Sequence, residues 1–212
     1  MSIETFYNLP EEKQKSLIQG GLKEFSSRSY QEASTDAITR ECGISKGILF
    51  HYFKSKKIFY LFILEHCVKL LTQPVHQASG NDFYEIIFLS MDRKMELFQK
   101  YPLEIKFVNL AAKETNGQIA EEKNKLLGPY MLRAKEDSGR VIQKAAEKLS
   151  LKTTEDRETI VKALSMYVNT IIMNYLEQYK DKPEDFFHGG DKIKGEIKEY
   201  LNIFLYGVLR EV

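Results

Sequence analysis

Two short helical segments with a glycine between them dominate the interpretation of this chain. They lie in the stretch Ser34–Lys57, which reads STDAITRECGISKGILFHYFKSKK. Gly43 suits the left-handed backbone position that ends a helix and opens a turn, because it has no Cβ to strain. Ser45 is a residue type that caps helix N-termini, and Ile38 and Leu49 are placed to share one small core. The pattern predicts a helix-turn-helix, with a further helix starting near the end of the stretch.

The second helix of this pair carries aromatic and basic side chains. Residues 40–57 contain five basic residues and one acidic residue, a net charge of +4 in a chain whose total is +1. A local basic patch on a near-neutral chain is typical of a DNA reader that does not bind every polyanion. On charge alone, a solvated basic face is the alternative. The helix-turn-helix layout favours DNA, with the second helix entering the major groove.

The segment GISKGILFHYFKSKK resembles the signature of the tetracycline-repressor (TetR) family of bacterial transcriptional regulators. Phe25, the SSRSY turn and the Ser/Thr-started helix with Ile38 also fit, so the resemblance covers roughly residues 10–60. Beyond residue 60, only the length and the helical character are similar to the family.

The resemblance implies a set of DNA-contact residues. Lys46 and Gly47 would approach base edges at the start of the recognition helix, where a lysine donates to guanine O6 or N7. His51, one turn later, would be a further base contact or a solvated histidine. Aromatic positions and two further side chains would contact the sugar–phosphate backbone. The full set is Thr35, Ser45, Lys46, Gly47, Phe50, His51, Tyr52 and Lys56.

Two positions depart from the family's pattern. Phe50 stands where Tyr is commoner, and Ile48 stands where Thr is frequent. Neither side chain can donate a hydrogen bond to phosphate. We therefore expect van der Waals contact there, and Phe50 is also a candidate for the core.

The remaining chain shows helical periodicity and no convincing strand alternation. Pro10 opens the first helix, Ser55–Leu71 forms the fourth, and Gly128-Pro129 starts the seventh. We expect an all-α protein of about nine helices, with a three-helix helix-turn-helix domain at residues 1–54. Residues 55–212 would form a larger helical domain for ligand sensing and dimerisation.

The resemblance implies a small-molecule pocket in this larger domain. Flexible and aromatic side chains are candidate lining for a small apolar or aromatic effector, and an asparagine in the eighth helix would need a partner if buried. Ordinary core packing is the alternative for each of them. The candidates are Met91, Met95, Phe98, Phe107, Tyr130, Met166, Asn169 and Met173.

The last two helices carry more apolar surface than one buried stripe requires. Two such helices from each of two subunits would make a four-helix homodimer interface, as the resemblance also implies, and core packing is again the alternative. The candidate interface residues are Leu164, Val168, Ile171, Tyr175, Ile197, Leu201, Phe204, Leu205 and Val208.

Other function classes have little support in the sequence. Two cysteines do not make a disulfide framework, and the longest apolar run, Ile58 to Leu64, is too short to span a bilayer, so we expect a cytoplasmic protein and no membrane partner. Nucleotide-binding and hydrolase motifs are absent, so we expect no enzyme activity and no cofactor. His66, Cys67 and His76 are the only loose metal-like grouping, and we expect no metal.

These observations and the resemblance predict a ligand-responsive, DNA-binding transcriptional regulator. We expect it to be a repressor that its effector releases from a palindromic DNA operator. An all-helical small-molecule carrier or enzyme with an incidental helix-turn-helix is the alternative from another class. A helical adaptor that binds protein rather than DNA is a second alternative.

Overall fold

A computed structural model of the chain describes residues 3–72, 80–150, 157–179 and 182–207. These residues form helices and connections without a strand, which confirms the all-α prediction. Eleven helices are present in the described ranges, where about nine were expected, and the additions are the short α1 and α10. The helices are α1 (Ile3–Tyr7), α2 (Glu11–Phe25), α3 (Thr35–Glu41), α4 (Lys46–Phe53), α5 (Lys56–Leu71), α6 (Phe83–Lys100), α7 (Pro102–Lys113), α8 (Ala120–Ala146), α9 (Arg157–Tyr179), α10 (Pro183–His188) and α11 (Gly190–Tyr206).

The chain divides into two compact units. Unit 1 consists of Met1–Gln73 and Leu103–Met131, and unit 2 consists of Pro74–Pro102 and Leu132–Val212. The helix-turn-helix therefore shares its unit with α5, α7 and the first part of α8. The proposed division of labour at residue 54 concerns function, and it stays a prediction.

Unit 1 is built around an aromatic core. Serines cap three successive helices, because Ser34, Ser45 and Ser55 accept hydrogen bonds from backbone N–H groups in the first turns of α3, α4 and α5. Phe53 lies against Phe59, with 4.6 Å between the ring centroids. Helices this short gain most of their stability from such packing rather than from intrinsic propensity.

Unit 2 packs α6, α9, α10 and α11 around a second, separate core. Asp82 caps α6 by accepting from the Glu85 N–H at 2.9 Å. Fully buried side chains such as Ile86 and Leu164 pack in this core, and Lys194 pairs with Asp92 at 2.8 Å near its edge.

The start of α8 differs from the sequence-based prediction. The helix begins at Ala120 rather than at Gly128-Pro129, and Pro129 lies inside it. A proline in a helix leaves the carbonyl four residues earlier without its donor, here that of Lys125. Lys125 and Pro129 are both exposed, so water can satisfy that carbonyl and the helix continues.

No helix in the described ranges combines the length and the apolar character that crossing a bilayer requires.

Candidate nucleic-acid interface

The turn between α3 and α4 has the geometry that the sequence predicts. Gly43 has φ +64°, in the left-handed region, and the Ile44 N–H donates to the Thr39 carbonyl at 3.0 Å. Thr39 is buried between the helices, as its small side chain permits. A side chain at position 43 would strain this turn even though open space surrounds it.

Helix α4 has one buried side and one exposed side. The Ser45 hydroxyl oxygen accepts from the Ile48 N–H at 3.3 Å, so the hydroxyl hydrogen stays available as a donor. Leu49 and Phe53 are fully buried on the inner side. Gly47 and His51 are exposed and share the opposite face, because residues four apart lie above one another on a helix.

Lys46, the predicted base-reading lysine, is exposed and already has a partner. Its Nζ donates to Asp36 Oδ2 at 2.9 Å, which joins the first residue of α4 to the start of α3. Surface pairs of this kind contribute at most about 1 kcal/mol, so DNA can compete for the lysine. The sequence reasoning did not identify Asp36, although it lies within the helix-turn-helix.

Phe50 and Tyr52, the two aromatic residues of α4 predicted to contact DNA, are only partly exposed. Tyr52 lies edge-on to Phe6 of α1 at 6.4 Å, and Phe6 lies 5.2 Å from Phe53, all between ring centroids. Phe50 is half-buried, as the alternative of partial core packing anticipated. The packing of α1 under α4 was missed because five residues are too few to show helical periodicity.

Lys56 and Thr35 occupy positions that differ from the exposed groups of α4. The Lys56 Nζ donates to the backbone carbonyls of Gln31 and Ala33 at 3.2 and 3.0 Å, and it lies 4.7 Å from the centre of the Tyr30 ring. Thr35 is buried, and Ser34 rather than Thr35 caps α3. The phosphate contacts of both residues stay predictions.

The cysteines offer no activated nucleophile. Burial raises the pKa of the Cys42 thiol. The Cys42 Sγ also donates a hydrogen bond to the Ser16 carbonyl at 3.4 Å. Burial also raises the pKa of Cys67 well above the usual range for a thiol. A raised pKa favours the protonated thiol, which is the weaker nucleophile.

The structure does not gather the predicted ligand-lining residues at one place. Met91 and Met95 are buried in the core of unit 2. Phe98 is partly buried and packs against that core, and Asn169 is half-buried. Two other candidates, Phe107 and Tyr130, pack in the core of unit 1. The remaining two, Met166 and Met173, face solvent from α9.

Unit 2 also has a groove with a volume of about 380 Å³. It is lined mainly by charged and glycine residues of α6, α10 and α11, including Asp92, Glu96, His188 and Lys194. None of the predicted ligand-lining residues borders it.

The predicted interface residues of α9 and α11 lie mostly inside unit 2. Those buried in its core are Leu164, Val168, Tyr175, Ile197 and Leu201. Ile171 and Leu205 are half-buried, Phe204 is exposed, and Val208 lies outside the described residues. Exposed apolar side chains occupy other positions of the same helices. We call them the α9/α11 apolar face, which consists of Met166, Met173, Tyr200, Ile203 and Phe204.

Within the described ranges, no three His, Cys, Asp or Glu side chains are grouped closely enough to hold a metal ion. His76, one member of the loose grouping seen in the sequence, lies outside the described residues.

Comparison with known proteins places the helix-turn-helix in a family. The model of the bacterial regulatory proteins of the tetR family matches residues 17–60. The uncharacterized HTH-type transcriptional regulator YuxN of Bacillus subtilis (strain 168) is 40% identical over 55 residues. That stretch is 26% of this chain and 19% of the relative, so the similarity spans about a fifth of that protein.

Solved structures extend the likeness to nearly the whole chain. A TetR family transcriptional regulator from Chloroflexus aurantiacus J-10-FL has a TM-score of 0.63 at 23% identity, covering 98% of each chain. The MbdR regulator of Azoarcus sp. CIB has a TM-score of 0.58 at 14% identity, covering 93% of this chain and 100% of that one. NalD of Pseudomonas aeruginosa has a TM-score of 0.57 at 12% identity, covering 95% of this chain and 98% of that one. At such identities the structures establish the fold alone. Residues 17–60 therefore match the tetR family of bacterial regulatory proteins, and the chain has the fold of these solved regulators.

Proposed function

We propose that the protein is a homodimeric, DNA-binding transcriptional regulator, and that it represses genes until a small molecule releases it from a palindromic operator. The observation that carries the proposal is the arrangement of α4. Its N-terminus is capped by Ser45 and its inner side is fixed by Leu49 and Phe53, so that Gly47 and His51 face outward. A helix held rigidly by its buried side with small and polar groups outside is suited to the major groove.

The exposed groups divide into two kinds of contact. Lys46 and His51 would read base edges, and the bare backbone at Gly47 would allow close approach to the groove floor. Thr35, Phe50, Tyr52 and Lys56 were predicted to contact the backbone of the DNA. Ser45, the remaining predicted DNA-contact residue, can donate its hydroxyl hydrogen to DNA while its oxygen caps α4.

The homodimer would use the α9/α11 apolar face. The Tyr167 ring stacks on Phe204 at 5.2 Å and its hydroxyl donates to the Tyr200 carbonyl at 3.0 Å, which makes the exposed sides of the two helices adjacent. Met166 and Met173 have 68% and 61% of their surface exposed. An apolar face of this kind on an otherwise folded unit is typical of a protein–protein contact.

The effector would bind in unit 2. Met91, Met95 and Phe98 would line its pocket, since flexible side chains can open a packed interior to an apolar ligand. Effector binding would favour a dimer with the wrong spacing of its two α4 helices, and by linkage the operator would weaken effector binding by the same factor. The description of NalD as a secondary repressor supports repression as the sign of regulation.

The proposal is tested by titrating the purified protein against the DNA that flanks its own coding region, at two salt concentrations and with random DNA as competitor. We expect a complex that weakens with salt, survives the competitor, and protects two half-sites about one helical turn or a multiple of it apart. Binding no tighter than to random DNA would contradict the proposal. A small molecule retained in stoichiometric amount, without DNA binding, would favour the carrier alternative.

A further inference from the structure

We propose that Glu114, at the connection between α7 and α8, is a positioning residue for DNA reading. This inference rests on the proposed function and extends it beyond residues 17–60, which the family model matches. It follows from the contacts of the segment 30–33, which connects α2 to the start of α3.

The segment 30–33 is held on one side by α5. The Lys56 Nζ donates to the carbonyls of Gln31 and Ala33, and the ammonium lies over the face of the Tyr30 ring. Three contacts on one flexible side chain fix it in place, since hydrogen bonds from a charged donor are stronger than neutral ones. The lysine of the family signature therefore acts within unit 1 as a clamp.

The same segment is held on the other side by Glu114. The Tyr30 N–H donates to Glu114 Oε2 at 2.7 Å, across 84 positions of sequence. The other carboxylate oxygen, Oε1, accepts from the Asn116 N–H at 3.0 Å, and the backbone carbonyl of Glu114 accepts from Lys123 Nζ at 2.6 Å. Lys123 is almost completely buried, so this connection has a defined geometry.

The position of the segment determines the position of α3. Ala33 is followed directly by Ser34, whose side chain caps α3 and whose N–H donates to Glu24 Oε1 at 2.8 Å. Helix α3 in turn carries Asp36, the partner of Lys46. A shift of the backbone at Tyr30 is thereby passed to α3, and from α3 to the first residue of the recognition helix.

A positioning role predicts a coupling that works in both directions. If the Tyr30–Glu114 contact favours the DNA-reading arrangement, then bound operator stabilises that contact by the same free energy. Any movement of the α7–α8 connection would then alter operator affinity. This gives the connection a regulatory role that the helix-turn-helix alone lacks.

The test compares Glu114→Ala and Glu114→Gln with the wild type in full-length protein. Glutamine keeps one acceptor oxygen for Tyr30, and alanine keeps none. Glu121→Ala is the matched control, because it removes an exposed carboxylate on α8 that pairs with Lys125. Operator affinity, melting temperature and amide hydrogen exchange at Tyr30 and Asn116 are measured, with and without operator.

We expect Glu114→Ala to weaken operator binding by about tenfold or more at temperatures well below its melting transition, with Tyr30 exchange faster to a similar degree. Glu114→Gln should recover most of the affinity, and Glu121→Ala should match the wild type. In the wild type, operator should slow exchange at both amides.

Two results would overturn the inference in different ways. Wild-type affinity in Glu114→Ala, while Tyr30 exchange is faster, would show that the contact exists but does not position the reading helices. Absence of specific operator binding by the wild type would refute the proposed function itself, together with the inference that rests on it.

Discussion

The two units differ in how completely a single chain covers their apolar side chains. In unit 1, the aromatic residues Phe6, Phe25, Phe53 and Phe59 have no exposed surface. In unit 2, α9 and α11 fill a core and still leave the α9/α11 apolar face in solvent. Unit 1 exposes large apolar side chains only at scattered positions among the described residues, Tyr7, Ile48 and Met131, whereas unit 2 exposes a set on two adjacent helices, which we propose a second copy covers. Two phenylalanines, one in each unit, test this difference most directly.

Phe53→Ala should cause the largest loss of stability. The side chain is fully buried and lies near four other aromatic rings, so its removal should lower the free energy of unfolding by about 3–5 kcal/mol. Phe204→Ala, the matched variant on the exposed face, should cost less than about 1 kcal/mol in dilute protein. Urea denaturation at several protein concentrations measures both.

The concentration dependence separates the two substitutions. The loss from Phe53→Ala should be the same at every concentration, while that from Phe204→Ala should grow as dimer accumulates. If both substitutions lowered the free energy of unfolding equally at every protein concentration, a second copy would not cover Phe204.

Met173→Glu should weaken dimerisation through the α9/α11 apolar face. If a second copy covers this residue, each dimer buries two unpaired carboxylates, and dimerisation should weaken by about 3 kcal/mol or more. Sedimentation equilibrium measures the change, with an unaltered circular dichroism spectrum as evidence of folding. Met131→Glu is the control, since Met131 is similarly exposed, at 54%, but lies on α8. A dimer that tolerates Met173→Glu as well as Met131→Glu would exclude this face as the interface.

The difference between the units also explains what the sequence could predict. In the helix-turn-helix each local signal has one physical solution: Gly43 takes a positive φ, and Ser34, Ser45 and Ser55 cap helices. These effects depend on residues that are close in sequence, so a single sequence is enough to predict them.

In α9 and α11 the sequence did not distinguish the apolar stripe that faces the core from the apolar stripe that faces solvent. Leu164, Val168, Ile197 and Leu201 show apolar periodicity because they face the core, and the exposed stripe of Met166 and Met173 was assigned to a ligand pocket. Periodicity shows that a helix has an apolar side but not which of two sides is covered within one chain. The partners of Lys56 and Tyr30 were also beyond reach, because they depend on contacts distant in sequence.

Lys46→Ala and Lys56→Ala test whether each lysine contacts DNA directly or holds segment 30–33 within unit 1. Loss of Lys46 should cost about 1–3 kcal/mol at the operator and relax specificity at one base pair. Loss of Lys56 should weaken binding to all sequences, because segment 30–33 is released. Binding isotherms over a range of salt concentrations measure both effects.

The salt dependence decides the role of Lys56. A clamp leaves the number of neutralised phosphates unchanged, so the slope of log affinity against log salt should match the wild type. A slope smaller in magnitude by about 0.9 would instead assign Lys56 to a phosphate, as the resemblance to the family implied.

Asp36→Asn should change DNA binding by a smaller amount and in the opposite direction. The substitution releases Lys46 and removes a carboxylate close to the groove-facing side of α3 and α4. Affinity should rise by up to about fivefold, which corresponds to the roughly 1 kcal/mol of an exposed pair, and it should rise more for random DNA than for the operator. Glu41→Gln is the control, because Glu41 also lies on α3 and forms an exposed pair, with Lys23 of α2. Equal gains in DNA affinity from both substitutions would show that the loss of a negative charge matters, and not the release of Lys46.

The two ends of α4 provide the smallest effect. A residue with a positive φ lies near each end of α4: Gly43, three positions before the helix, and Lys54, directly after it at φ +58°. Glycine adopts this φ without strain, whereas Lys54 adopts it with a side chain. Relief of that strain by Lys54→Gly is partly offset by the greater freedom of glycine in the unfolded chain, which leaves a net gain of about 0.5 kcal/mol. The melting temperature should rise by about 1–2 °C. Lys54→Gln removes the same charge but keeps the Cβ, so it should leave the melting temperature unchanged. If glutamine raised the melting temperature as much as glycine, the effect would come from charge rather than from the backbone.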